Sequence, residues 1–231
     1  MLLTPGRAAF FGAGPVWPLW LLAAAALALF LWGLARRRDM ATPPGQSWAA
    51  YWLLLAPLWR ASRLCGLLTC LAWWTLWDLA GGCLLWLAHL VIHPFLRGPA
   101  YLFFSWYLDW AGAVFTIACL LLIIGRYTIW CRRALGVRSA WLLWLGLITG
   151  FTGFVVEAGR LGATRPDWAW FSPMGMRLAE RWLGGGSDAA LWAWWWVHAI
   201  LGLTLFAGLP WLKVRAGQER PEALGSHLHT D

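Results

Sequence analysis

Charged side chains are scarce in this chain. They make up 12% of its 231 residues, against 61% hydrophobic, where an ordinary soluble domain carries about 25% and roughly 45–50%. That balance excludes a water-soluble globular fold and implies an integral membrane protein. Cysteine spacing is just as restrictive: Cys65, Cys70, Cys83, Cys119 and Cys131 form no C-x-x-C pair, so neither a zinc site nor a four-cysteine iron–sulfur site is spelled, and buried reduced thiols are expected. No period of 20–50 residues recurs, which excludes a repeat array. A nucleophile with its base, a phosphate loop and a zinc signature are also missing, so the chain has no catalytic constellation of its own.

What is present is apolar length. A bilayer span needs about 20 mostly apolar residues, and five stretches qualify, at roughly 17–35, 64–90, 102–125, 140–158 and 190–211. The expected fold is an all-α, five-helix membrane bundle over residues 1–213, followed by a polar tail at 214–231. The first run has a single preceding cation, Arg7, lacks a small-residue cleavage site and ends in "ARRRD", so it is expected to be retained rather than cleaved.

Loop charge sets the expected orientation. Segments 36–63, 126–139 and 212–231 hold twelve Lys and Arg, while the opposite side holds six. The positive-inside rule then places the N-terminus outside and the C-terminus in the cytoplasm, in the cell's inner membrane. The net charge of +8 lies in these short loops, with no soluble domain to present a basic patch, and nucleic acid is excluded as a partner.

Two connections are longer. "SWAAYWLLLAPLWR" is too short to span, is broken by Pro57, and is expected in the cytoplasmic interface. The segment 160–188 predicts Trp- and Pro-rich turns, a short amphipathic helix near 174–183 and a glycine hinge, arranged to cap the outer mouth of the bundle. His227 and His229 sit in the polar tail and are poor ligand candidates. Of the 23 tryptophans, many fall at span ends, the level that indole prefers. Trp73, Trp74 and Trp77 fall within the second span, either lining a flat-ligand cleft or packing on their neighbours.

Ionisable residues inside a membrane are costly and mark candidate sites. Here they are Asp78, His89, Asp109, Glu157 with Arg160, and His198. Glu157 and Arg160 lie three apart on one helix face, where each neutralises the other; the pair either fastens the helix or serves a ligand. Gly146, Gly150 and Gly153 of the same helix form a small-residue face that admits a close backbone or a flat cofactor. His198 has Gly202 one turn on, an arrangement suited to an axial haem ligand and equally to a histidine bonded to a neighbouring helix. His89 and His93 are four apart with no third metal ligand evident; His93 suits the interface, and His89 is the candidate partner for His198.

"TGFVVEAGR" (152–160), "YLDWAGAVFTIACLLLIIGRY" (107–127) and "WWWVHAILGLTLFAGLPWLK" (194–213) together resemble the five-helix cytochrome b subunits of the nitrate reductase gamma type. Their closest flavour is the membrane subunit of heterodisulfide reductase and related sulfur-metabolism complexes. The resemblance runs from about residue 60 to 213 and implies a respiratory electron-transport role. Such a subunit exchanges electrons between membrane quinone and a cytoplasmic iron–sulfur subunit through b haems held between the second and fifth helices.

By that resemblance His198 matches the outer fifth-helix ligand, Pro210 and Lys213 the inner end, and Glu157 and Arg160 the fourth-helix signature near the quinone. The departures are specific. Ala216 stands where the second fifth-helix histidine belongs, and Cys65 and Thr75 occupy the approximate places of the second-helix ligands. The inner haem is therefore expected to be lost. At 1.5 Å per residue His198 lies about 12 Å below the start of its helix, so one outer haem b would need tilt to join it to His89, or Cys83 in its place. The alternative is a haem-free anchor or scaffold subunit of the same kind of complex. A transporter is disfavoured because inverted halves and interrupted helix pairs are absent.

Overall fold

The computed structural model describes residues 17–36, 55, 59, 62–127, 140–182 and 187–211. Within them the chain is all-helical: α1 (Trp17–Arg36), α2 (Arg63–Val91), α3 (Pro99–Tyr127), α4 (Ala140–Thr164), α5 (Pro173–Trp182) and α6 (Asp188–Gly208), with 3-10 turns at Ala169–Phe171 and Leu209–Trp211. Every one but α5 is, alone or with its 3-10 extension, long and apolar enough to cross a membrane. The interfacial segment around Pro57, the glycine hinge and the polar tail lie wholly or largely outside the described residues.

Local chemistry sets the helix ends. Ser62 caps α2, its hydroxyl accepting the Cys65 N–H, and Ser187 caps α6 by accepting the Ala190 N–H, each satisfying one of the orphan donors of a first turn. Pro99 and Pro173 open α3 and α5, where a missing N–H costs nothing. Pro210 cannot continue the α6 ladder, and the helix tightens into the 3-10 turn there. The sequence expectation stopped the fourth helix at 158, but α4 runs on to Thr164. Its glycines did not end it, because Gly159 is the seat for Leu191 of α6 and the first breaker is Pro166. Beyond Thr164, Arg165 takes a left-handed φ of 39° and the chain turns.

The long helices pack in the order α2, α3, α4, α6, α1, with α5 laid against α4 and α3. Glycines bring α4 close to both of its neighbours. A Cβ on Gly146 would lie 3.1 Å from Cys119 Sγ of α3, and one on Gly150 would collide with Thr116 Oγ1; one on Gly153 would lie 3.0 Å from His198 Cε1 of α6. The small-residue face is thus shared between two helix contacts, with protein side chains filling it.

At the end remote from α5, Cys65, Leu68 and Ala72 of α2 share one buried apolar cluster with Phe115, Ala118, Cys119 and Leu122 of α3, Leu142 of α4 and Leu205 of α6. Trp73 packs against this cluster and stands edge-on to Trp77 at 5.6 Å. Helix α1 joins through a Phe30–Phe206 stack at 4.5 Å. On the first turns of α6, Trp192 and Trp195 stack at 5.5 Å with Trp196 edge-on to both. Leu21, Leu84, Ile117, Ile148 and Val197 stand exposed on the outer helix faces, as lipid-facing residues do.

Candidate functional site

At the α5 end, α3 and α4 enclose a polar cluster that the short helix covers. Arg160, only 3% exposed, grips the carboxylate of Glu157 with two donors, Nε to Oε2 at 3.0 Å and Nη2 to Oε1 at 2.5 Å. Such bidentate pairs are the strong ones, and a buried charge needs one. The guanidinium also lies over the Trp168 ring at 5.4 Å and hydrogen-bonds the Tyr101 side chain. Tyr101 is buried and meets Trp168 edge-on at 5.0 Å. The sequence placed Glu157 and Arg160 on one face, and the structure joins them.

The rest of the cluster comes from α3 and from the segment that leads into α5. Ser172 is 1% exposed and donates to Glu157 Oε1 at 3.1 Å, which leaves it to accept from Ser105 at 2.8 Å. Asp109, buried on α3, accepts the Met174 N–H at 2.8 Å and the Gly175 N–H at 3.4 Å. Sequence reasoning singled out Asp109 without a role and missed Ser105, Ser172, Tyr101 and Trp168. One signal was available for Ser172: a serine directly before a proline is a helix start.

The two histidines are held in different places and in opposite protonation patterns. His198 Nδ1 lies 3.1 Å from the Thr149 carbonyl and 3.2 Å from Thr152 Oγ1, while the Thr152 hydroxyl itself donates to that same carbonyl. A carbonyl cannot donate, so Nδ1 carries the proton and Nε2 is the acceptor nitrogen. His89 is the reverse: its Nδ1 accepts the Leu96 N–H at 2.8 Å, so the neutral ring carries its proton on Nε2. Phe95 stands edge-on to that ring at 5.7 Å.

Haem fits this arrangement poorly. Axial ligation uses an unprotonated ring nitrogen while the other nitrogen donates to an oxygen. His198 is oriented that way. His89 is not, because its acceptor nitrogen is engaged by the backbone and its other nitrogen holds the proton. His89 belongs to the last turn of α2, whereas His198 lies at the middle of α6. Cys83 is exposed. Gly202 faces Thr149 of α4, whose Cγ2 would lie 3.9 Å from a Cβ there, an ordinary contact. Among the described residues no three His, Cys, Asp or Glu side chains are grouped to hold a metal ion.

An open apolar groove of 420 Å³ runs along α3, lined by Leu102, Phe103, Trp106, Trp110, Trp170 and Phe171 among others. Comparison with known proteins adds no relative: no family model, curated protein or solved structure matches this chain.

Proposed function

We propose that this chain is a multi-pass subunit of the cytoplasmic membrane that anchors an iron–sulfur partner of a quinone-linked redox complex, and that it does so without a resident haem. The redox setting rests on the resemblance of residues 107–127, 152–160 and 194–213 to the nitrate reductase gamma type. The haem-free role rests on one observation above the others: Nδ1 of His89 accepts the Leu96 N–H, so the neutral rings of His89 and His198 carry their protons on opposite nitrogens. At the other end, the buried cluster joining Cys65, Leu68 and Ala72 of α2 with Leu205 of α6 has no histidine among its members.

In this reading the N-terminus is outside, the α5 end is the outer end, and the Arg-rich segments face the cytoplasm and the partner. Glu157 and Arg160 remain the quinone candidates, with Gly175 of α5 seated against Glu157 and Arg160 buried beneath Trp168. A second reading has a specific observation in its favour. The Nδ1–H of His198 points at a backbone carbonyl, the orientation of an axial ligand, and one b haem held by His198 with a different second ligand would make the chain an electron carrier.

Gentle solubilisation of the tagged full-length chain from its native membranes tests the proposal. An iron–sulfur protein with its characteristic low-temperature electron paramagnetic resonance signal should copurify, and that signal should respond to added quinol or quinone. Purification of the chain alone, or with partners that carry no redox centre, contradicts it.

A further inference from the structure

Helix α5 is capped from outside itself. Ser172 occupies its N-cap position, and the Ser172 carbonyl accepts the first intrahelical bond from Met176 N–H at 2.8 Å. A serine here ordinarily turns its hydroxyl back onto the next turn's N–H groups, but this hydroxyl donates to Glu157. Pro173 has no N–H to satisfy. The next two orphan donors, Met174 and Gly175, go to the two oxygens of Asp109, 65 and 66 residues away on α3. The cap of one helix is therefore the carboxylate of another, buried beneath it.

We propose that this remote cap is a proton-operated latch: ionised Asp109 holds the first turn of α5 down over the Glu157–Arg160 pair, and a proton on Asp109 releases that turn and admits water to the pair. An ionised carboxylate accepts both N–H bonds and meets the positive end of the helix. A protonated one keeps a single good acceptor oxygen and loses the charge. The groups beside the cap come from α4, α3 and α5. From α4, Glu157 meets Gly175, whose N–H Asp109 accepts, and Arg160, the one buried cation among the described residues, is committed to Glu157 and Tyr101. From α3 comes Tyr101. The charged residues of α5 itself, Arg177, Glu180 and Arg181, are exposed and lie beyond its first turn. Of the two carboxylates, Glu157 holds the guanidinium and Asp109 holds the helix.

The latch acts on the first turn because the remainder of α5 is held differently. Ala179 packs with Ala158 and Leu161 of α4, and this apolar contact is indifferent to protons. Gly175 seats directly on Glu157, whose Cγ would lie 2.7 Å from a Cβ there, so lifting that turn uncovers the carboxylate.

Hydrogen exchange at the Met174 and Gly175 amides of the full-length protein, corrected for the intrinsic pH dependence of exchange, reads the latch directly, since no intrahelical bond protects these two positions. Protection should fall roughly tenfold or more as the pH is lowered, the equivalent of one charge-assisted hydrogen bond, while α3 and α4 stay protected. In Asp109→Asn the protection should be low and flat across the same range. Ser172→Ala, which leaves Asp109 in place, should keep the fall. Wild-type protection that does not change with pH overturns the latch even if Asp109→Asn fails to fold. So does a fall that persists in Asp109→Asn, or a flat profile in Ser172→Ala.

Discussion

Single side chains in this protein are defined by what they are bonded to rather than by residue type. His198 ties α6 to α4 through Thr149 and Thr152, and His89 closes the turn after α2 on Leu96. Replacing His198 with Phe should therefore lower the thermal midpoint of the purified protein, by the equivalent of about 1–3 kcal/mol for the lost bonds. The Arg160→Met change should be worse. It strands the half-buried carboxylate of Glu157, and breaking such a pair costs about 3–5 kcal/mol; Glu157→Gln with Arg160→Met together should recover part of that loss in the same melt. Arg165, at φ 39°, strains a turn that glycine takes freely, so Arg165→Gly should raise the midpoint slightly, by the equivalent of up to about 1 kcal/mol.

At the scale of the element, close approach is carried by glycine. Gly150→Val would drive a branched side chain into Thr116 of α3 and should destabilise by about 1–3 kcal/mol, as overpacking does. Gly33→Leu acts on a different contact. A Cβ there already meets Pro210 and Trp211 at 2.8 Å, so the larger residue should part α1 from α6. A short bifunctional thiol reagent across Phe30→Cys and Phe206→Cys should report this as lost cross-linking.

The helices themselves were legible in the sequence, because a run of about twenty apolar residues has one stable form in a bilayer. The extent of α4 was not, since Gly159 reads as a breaker until Leu191 is seen filling its groove. The Glu157–Arg160 bond followed from spacing alone. The role of Asp109 did not, because no spacing rule announces a helix cap supplied from 65 residues away. The ring tautomers depend on whether a carbonyl or an N–H stands opposite Nδ1, and that too is a property of the assembled bundle.

At the scale of the whole molecule, the described helices form a bundle with two differently built ends. One end is an apolar cluster gathered from α2, α3, α4 and α6; the other is a charged network under α5. Such a division suits an anchor that docks a partner at one surface and keeps a closed polar site at the other. The proposal that the chain is an anchor that works without haem is tested most directly by the reduced-minus-oxidised absorption spectrum of the purified full-length protein. The account predicts no b-type band at any applied potential. A b-type band in the wild type that vanishes in His198→Ala would contradict it.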